Sequence, residues 1–117
     1  MLTLTLLIIF STQTLHYEAP TPEYFEAEIT AYTAHPSETD STPHIVASGK
    51  KTRLGMIACP SWLSFGTKVL VEGLGIYICE DRMALRFRHG AYFDVLMETK
   101  KLAKEWGRQT RLVAILQ

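Results

Sequence analysis

Lysine and arginine are absent from residues 1–49, which carry six acids: Glu18, Glu23, Glu26, Glu28, Glu38 and Asp40. All twelve basic residues lie from Lys50 onward, beside six further acids. The formal net charge is zero. No overall field therefore draws a polyanion, and the expectation is no nucleic-acid partner. A basic face for an anionic polymer is one reading of the split. The simpler reading, adopted here, interleaves the two halves in one fold so that the charges mix on its surface.

Cysteine is scarce, with only Cys59 and Cys79, and the four histidines (His16, His35, His44 and His89) are scattered. A zinc site needs more such ligands at short spacing, so neither a metal nor a cofactor is expected. An exported chain pairs the two cysteines as a disulfide; a cytosolic one keeps two small buried thiols. Long apolar runs are also missing. The run LTLTLLIIF spans only residues 2–10, too short for a helix that crosses a bilayer. It fits the hydrophobic region of a secretory signal, while its LTLTL alternation also fits a core strand. The signal reading is preferred, because a polar stretch with Pro20 and Pro22 separates the run from the rest. Residues 1–15 are read as a signal or short hydrophobic segment, 16–25 as a linker, and 26–117 as one domain. There is no internal repeat and no low-complexity tract.

What remains is globular in composition, with 47% hydrophobic and 21% charged residues, well away from the disordered pattern. Strand-like segments fall at 26–33, 45–47, 56–59, 67–71, 76–79, 93–97 and 111–116. Gly73 and Gly75 mark a hairpin between the 67–71 and 76–79 segments. Residues 35–43, HPSETDSTP, form a turn-rich polar loop. A single helix is predicted over 99–106, with Thr99 as N-cap, Gly107 just past its end, and Leu102 and Trp106 on one face pinning it to the core. The fold class is mostly β, a small six-stranded barrel with one short helix.

The chain carries, in order, ITAYT (29–33), TDSTP (39–43), ASG (47–49), GMIA (55–58), FGTKVLV (65–71), CEDRM (79–83), FDVLM (93–97), LAKEWG (102–107) and RLVAIL (111–116). This set resembles the three-aspartate, or 3D, domain family over residues 27–116. It is similar to the catalytic barrel of membrane-bound lytic transglycosylase A. It resembles more distantly the barrels of rare-lipoprotein-A-like proteins and expansins. The resemblance implies a double-psi β-barrel with an open groove that gathers the aspartates. Asp81 matches the middle aspartate and Asp94 the last. The first aspartate's position falls near Cys59, and Arg82-Met83-Ala84 stands where Thr-Gly-Gly often follows the middle one.

The chemistry implied is cleavage between N-acetylmuramic acid and N-acetylglucosamine in peptidoglycan. Asp94 is expected as general acid and base, with Asp81 as its electrostatic partner. Tyr32, Thr67 and Arg82 are expected near substrate, with Arg86 and Arg88 as further candidates for binding its carboxylates. Without the resemblance, Asp94 reads as a turn cap and Asp81–Arg82 as a surface ion pair. The expectation is therefore a monomeric, exported, peptidoglycan-directed lytic transglycosylase domain. Its rival is a non-catalytic, expansin-like glycan-binding module.

Overall fold

A computed structural model describes Thr5, residues 21–34 and residues 45–116. Apart from Thr5, the segment 1–15 read as a signal, most of the linker and the TDSTP motif lie outside the described residues. Six strands form the structure: β1 Tyr24–Tyr32, β2 Met56–Cys59, β3 Lys68–Val71, β4 Gly75–Arg82, β5 Tyr92–Leu96 and β6 Gln109–Leu116. One α-helix, α1, spans Lys100–Trp106, and a single 3-10 turn covers Leu85–Phe87. The strands close into a barrel in the order β1-β5-β2-β4-β3-β6. Two pairs, β1·β5 and β2·β4, are parallel. The other four are antiparallel. This is the mostly-β, six-stranded barrel with one short helix expected from the sequence.

Period-two alternation builds the barrel. Along β1, Ala27 and Ile29 are buried and Phe25 packs beside them in the core, while Glu26, Glu28, Thr30 and Tyr32 take the opposite face. The same core receives Ile57 and Cys59 from β2, Val69 and Val71 from β3, Phe93 and Val95 from β5, and Val113 from β6. A smaller cluster of Val46, Met56 and Leu96 lies against Tyr32 and Ala34. The turn from β3 to β4 needs Gly73, whose φ of 82° suits a residue without a side chain. A Cβ there would also sit 3.2 Å from Arg111 Nη1. The acid-only and basic segments do interleave, as where Arg108 Nη1 meets Glu28 Oε2 at 3.5 Å.

Three expectations need correction. The linker ends earlier than residue 25, because Tyr24 and Phe25 pair with Ala114 and Val113 of β6. Residues 45–47 are not a strand but one arm of a tight turn. Ile45 and Lys51 make a single bridge, and Gly49 N donates to Val46 O at 2.9 Å. The turn-forming Ser48-Gly49 pair outweighs the short apolar run. Leu102 does not pin α1, since it is 46% exposed. Ala103 is the buried residue of the helix, and Trp106 holds it down by donating from Nε1 to Ile29 O at 2.9 Å. The caps are as expected. Thr99 Oγ1 accepts from Leu102 N, and Gly107, at φ 66°, closes the helix with its N–H on Ala103 O.

Cys59 and Cys79 form a disulfide across β2 and β4, with Cα atoms 5.9 Å apart and a sequence separation of 20. Closing a loop of that size stabilises a fold by about 3 kcal/mol through the unfolded chain. The Cys59→Ala/Cys79→Ala double variant should lose about that much in denaturant unfolding. A variant as stable as the wild type would show that the bond contributes nothing.

Candidate active site

The site begins with a register shift. Met56 and Ile57 of β2 pair with Ile78 and Cys79 of β4, but the next residue, Ala58, pairs with Asp81. Glu80 is the extra residue of a β-bulge. Such bulges re-aim the side chains that follow. Here the shift brings Asp81 into line with Ala58. On the other side of β2, Ala58 pairs with Asp94 of β5, and Asp94 pairs with Thr30 of β1. Residues opposite one another in a sheet point to the same face. Asp81, Ala58, Asp94 and Thr30 therefore form one row on the outer wall, because Phe93 and Val95, flanking Asp94, point into the core. The aspartates lie two strands apart, with Cα atoms about 9–10 Å from each other.

Asp81 is an acceptor on both oxygens. Oδ1 takes the N–H groups of Ala47 at 3.0 Å and Arg82 at 2.9 Å. Oδ2 takes the phenol of Tyr32 at 3.2 Å. Three donors converging on one carboxylate suit a fixed acceptor rather than a proton donor. Asp94 Oδ1 lies 3.1 Å from Thr30 Oγ1, whose single proton also faces Phe93 O at 3.3 Å.

Tyr32 bonds to Asp81 and feels the charge of Asp94. It packs against the cluster of Met56 and Leu96 and reaches across β5 and β2 to Asp81. Burial, then the charges of Asp81 and Asp94, then the hydrogen bond to Asp81, hold its phenol far above its ordinary value. The phenol thus remains a donor and feels both carboxylates.

The backbone donor at Ala47 has its own support. Ser48 N donates to Glu80 O at 3.0 Å, and Lys50 Nζ lies 3.0 Å from Glu80 Oε1. Glu80 is only 1% exposed. Burial raises its carboxyl pKa, but hydrogen bonding from Lys50 and then Ser48, followed by the charges of Lys50 and Arg53, outweighs burial and holds it below the ordinary value. The bulge residue thus ties down the loop that supplies a donor to Asp81. Sequence reading missed both Glu80 and Thr30. Thr30 was detectable as an outward position of ITAYT, two residues before Tyr32. Nothing in the sequence marked the bulge.

The remaining expected residues lie elsewhere. Thr67 sits across β4 from Ala58 and donates from Oγ1 to Ser64 O at 2.7 Å. Arg82 contributes its backbone N–H to Asp81, while its side chain turns to the loop after β2. Its Nη1 donates to Pro60 O at 2.9 Å and Leu63 O at 2.7 Å, and its guanidinium lies 4.0 Å over the Phe65 ring. Arg88 Nε donates to Met83 O, and Arg86 lies over the ring of Phe87. Cys59 is fully buried in the core. Among the described residues, no group of three His, Cys, Asp or Glu side chains is placed to hold a metal ion. Comparison with family models and with curated proteins finds no match for this chain.

The lowered pKa of Glu80 has a signed consequence. Its stabilisation is present above the ordinary carboxylate value of 4.5 and is lost as pH falls through the lower folded value. Glu80→Gln should be less stable than wild type at neutral pH, and thermal unfolding should show the gap narrowing as pH drops below 4.5. A gap that stays constant with pH would remove the ion pair from this role.

Proposed function

We propose that the chain is a peptidoglycan-directed lytic transglycosylase domain of the three-aspartate, double-psi type, with Asp94 as general acid and base. The observation that carries this reading is the shared row: Asp81 and Asp94 flank Ala58 on one face, with the Tyr32 phenol bonded to Asp81 and feeling the charge of both. The row suits a division of labour. Asp81, fixed by three donors, supplies negative charge for an oxocarbenium-like centre. Asp94, on the neighbouring side of Ala58, handles the proton.

In this mechanism Asp94 protonates the oxygen between N-acetylmuramic acid and N-acetylglucosamine, and the bond from C1 to that oxygen breaks. The Asp94 carboxylate then accepts the proton of the muramic C6 hydroxyl. Its oxygen closes onto C1, giving a 1,6-anhydro product and returning the proton to Asp94 with no water consumed. The Cys59–Cys79 disulfide supports an exported location, since such bonds persist in oxidising compartments.

A second reading, a non-catalytic wall-binding module of the expansin kind, draws on one observation. Cys59, near the first aspartate's position, is buried and disulfide-bonded, so the row has two acids rather than three.

Digestion of purified peptidoglycan with mass analysis separates the two. The wild type should release anhydro-muropeptides, and Asp94→Asn should lose about a hundredfold or more of that rate. Release by Asp94→Asn at the wild-type rate would end the assignment of Asp94. Binding to peptidoglycan with no product from the wild type would favour the binding module.

A further inference from the structure

Beyond β4, on the side away from Ala58, lies a cavity of about 580 Å³ lined by Trp62, Ser64, Phe65, Thr67 and Lys68, with the end of β6. We propose that this cavity is a saccharide subsite, in which Trp62 and Phe65 stack on the sugar faces of a glycan chain of N-acetylated hexosamines. The proposal rests on the peptidoglycan reading above and extends it to a surface that none of the chemistry uses.

Two aromatic rings are exposed here and yet held in place. Trp62 is 51% exposed and Phe65 41%. The indole Nε1 donates to Gly90 O at 3.1 Å, and the ring packs on Phe25 with centroids 6.0 Å apart. Phe65 is backed by the Arg82 guanidinium at 4.0 Å. A preordered ring loses little side-chain entropy when a ligand stacks on it, and an amphipathic sugar face offers the apolar C–H surface it needs.

The polar lining suits the same ligand. Thr67 commits its proton to Ser64 O, which leaves its oxygen as an acceptor for sugar hydroxyl or acetamido N–H groups. The exposed Lys68 offers a cation to the lactyl carboxylate that distinguishes muramic acid. Hydroxyl and ammonium groups sharing a lining with two rings match a sugar better than the continuous apolar face of a protein partner. The subsite is also joined to the aspartate row. Arg82, whose N–H holds Asp81, ties down the loop that carries Trp62 and Phe65 through Pro60 O and Leu63 O.

The test uses the full chain, labelled with nitrogen-15 and titrated with a tetramer of β-1,4-linked N-acetylglucosamine. The Trp62 indole N–H and the backbone amides of residues 64–68 should shift, while the Trp106 indole, bonded to Ile29 O, serves as an internal control. Trp62→Ala should weaken binding about tenfold. Phe65→Ala, which removes an exposed ring, should do likewise and covers the case in which Trp62→Ala does not fold. Shifts absent from this cavity, or wild-type affinity in a folded variant, would overturn the proposal. Assay of the same samples on peptidoglycan keeps the two readings apart. Tetramer binding at Trp62 without anhydro product removes the transglycosylase and leaves the subsite. Anhydro product with no involvement of Trp62 or Phe65 does the reverse.

Discussion

Between Ile57 and Ala58 the parallel pairing of β2 with β4 slips by one residue, and the outer wall depends on that slip. Without it, Glu80 would follow Cys79 into line with Ala58, and Asp81 would fall opposite Cys59. With it, Glu80 is withdrawn into an ion pair whose carboxylate is buried and whose Lys50 side chain is half exposed, and Asp81 comes forward beside Ala58. One extra residue thereby sorts two adjacent acids into different tasks. The bulge lies just past the β3 pairing, which ends at Ile78, so β2 on one side and the N–H of Ser48, bonded to Glu80 O, hold the local kink.

The buried member of that pair of acids has an electrostatic cost. A carboxylate taken out of water is favourable only when charge and hydrogen bonds replace the lost hydration. Lys50 supplies both at 3.0 Å. In return the turn of residues 46–50 is held against β4, and Ala47 N points at Asp81 Oδ1. A backbone donor is a good choice there, since it cannot rotate away and carries no net charge of its own. Tyr32 approaches the other oxygen from three strands away. Both sides of the Asp81 carboxylate are therefore set by elements distant in sequence, which makes its orientation a property of the closed barrel rather than of β4 alone.

Where the sequence is locally consistent, it could be read. EITAYT alternates, and β1 follows it; Thr99 and Gly107 carry the two cap chemistries, and α1 begins and ends between them. Short apolar runs were less reliable. Residues 45–47 look like a strand in isolation, yet Ser48-Gly49 turns the chain back at once. Leu102 and Trp106 share a helical face, but a seven-residue helix docks through one indole and one alanine, and the leucine is left largely outside. The two aspartates were identifiable as candidates because of their motif context. Their separation by a whole strand was not, since twelve residues of intervening chain are compatible with adjacent strands as well. The register of β2 against β4 depends on the bulge, which no turn residue or alternation in the sequence marks.

Cys59 braces this row from the core side of the wall. Ala58 faces outward between the aspartates, while Cys59, the next residue, alternates into the core and pairs opposite Arg82. A carboxylate on that inward side would be a buried charge needing its own partner. The disulfide to Cys79 fills the position with sulfur instead, links the two strands that meet at the bulge, and lies 3.2 Å from Arg82 Nη1 at Cys59 Sγ. The same guanidinium braces the loop after β2. The cross-link at residue 59 therefore lies behind the row of Asp81, Ala58 and Asp94, and it stiffens the floor on which the two carboxylates stand.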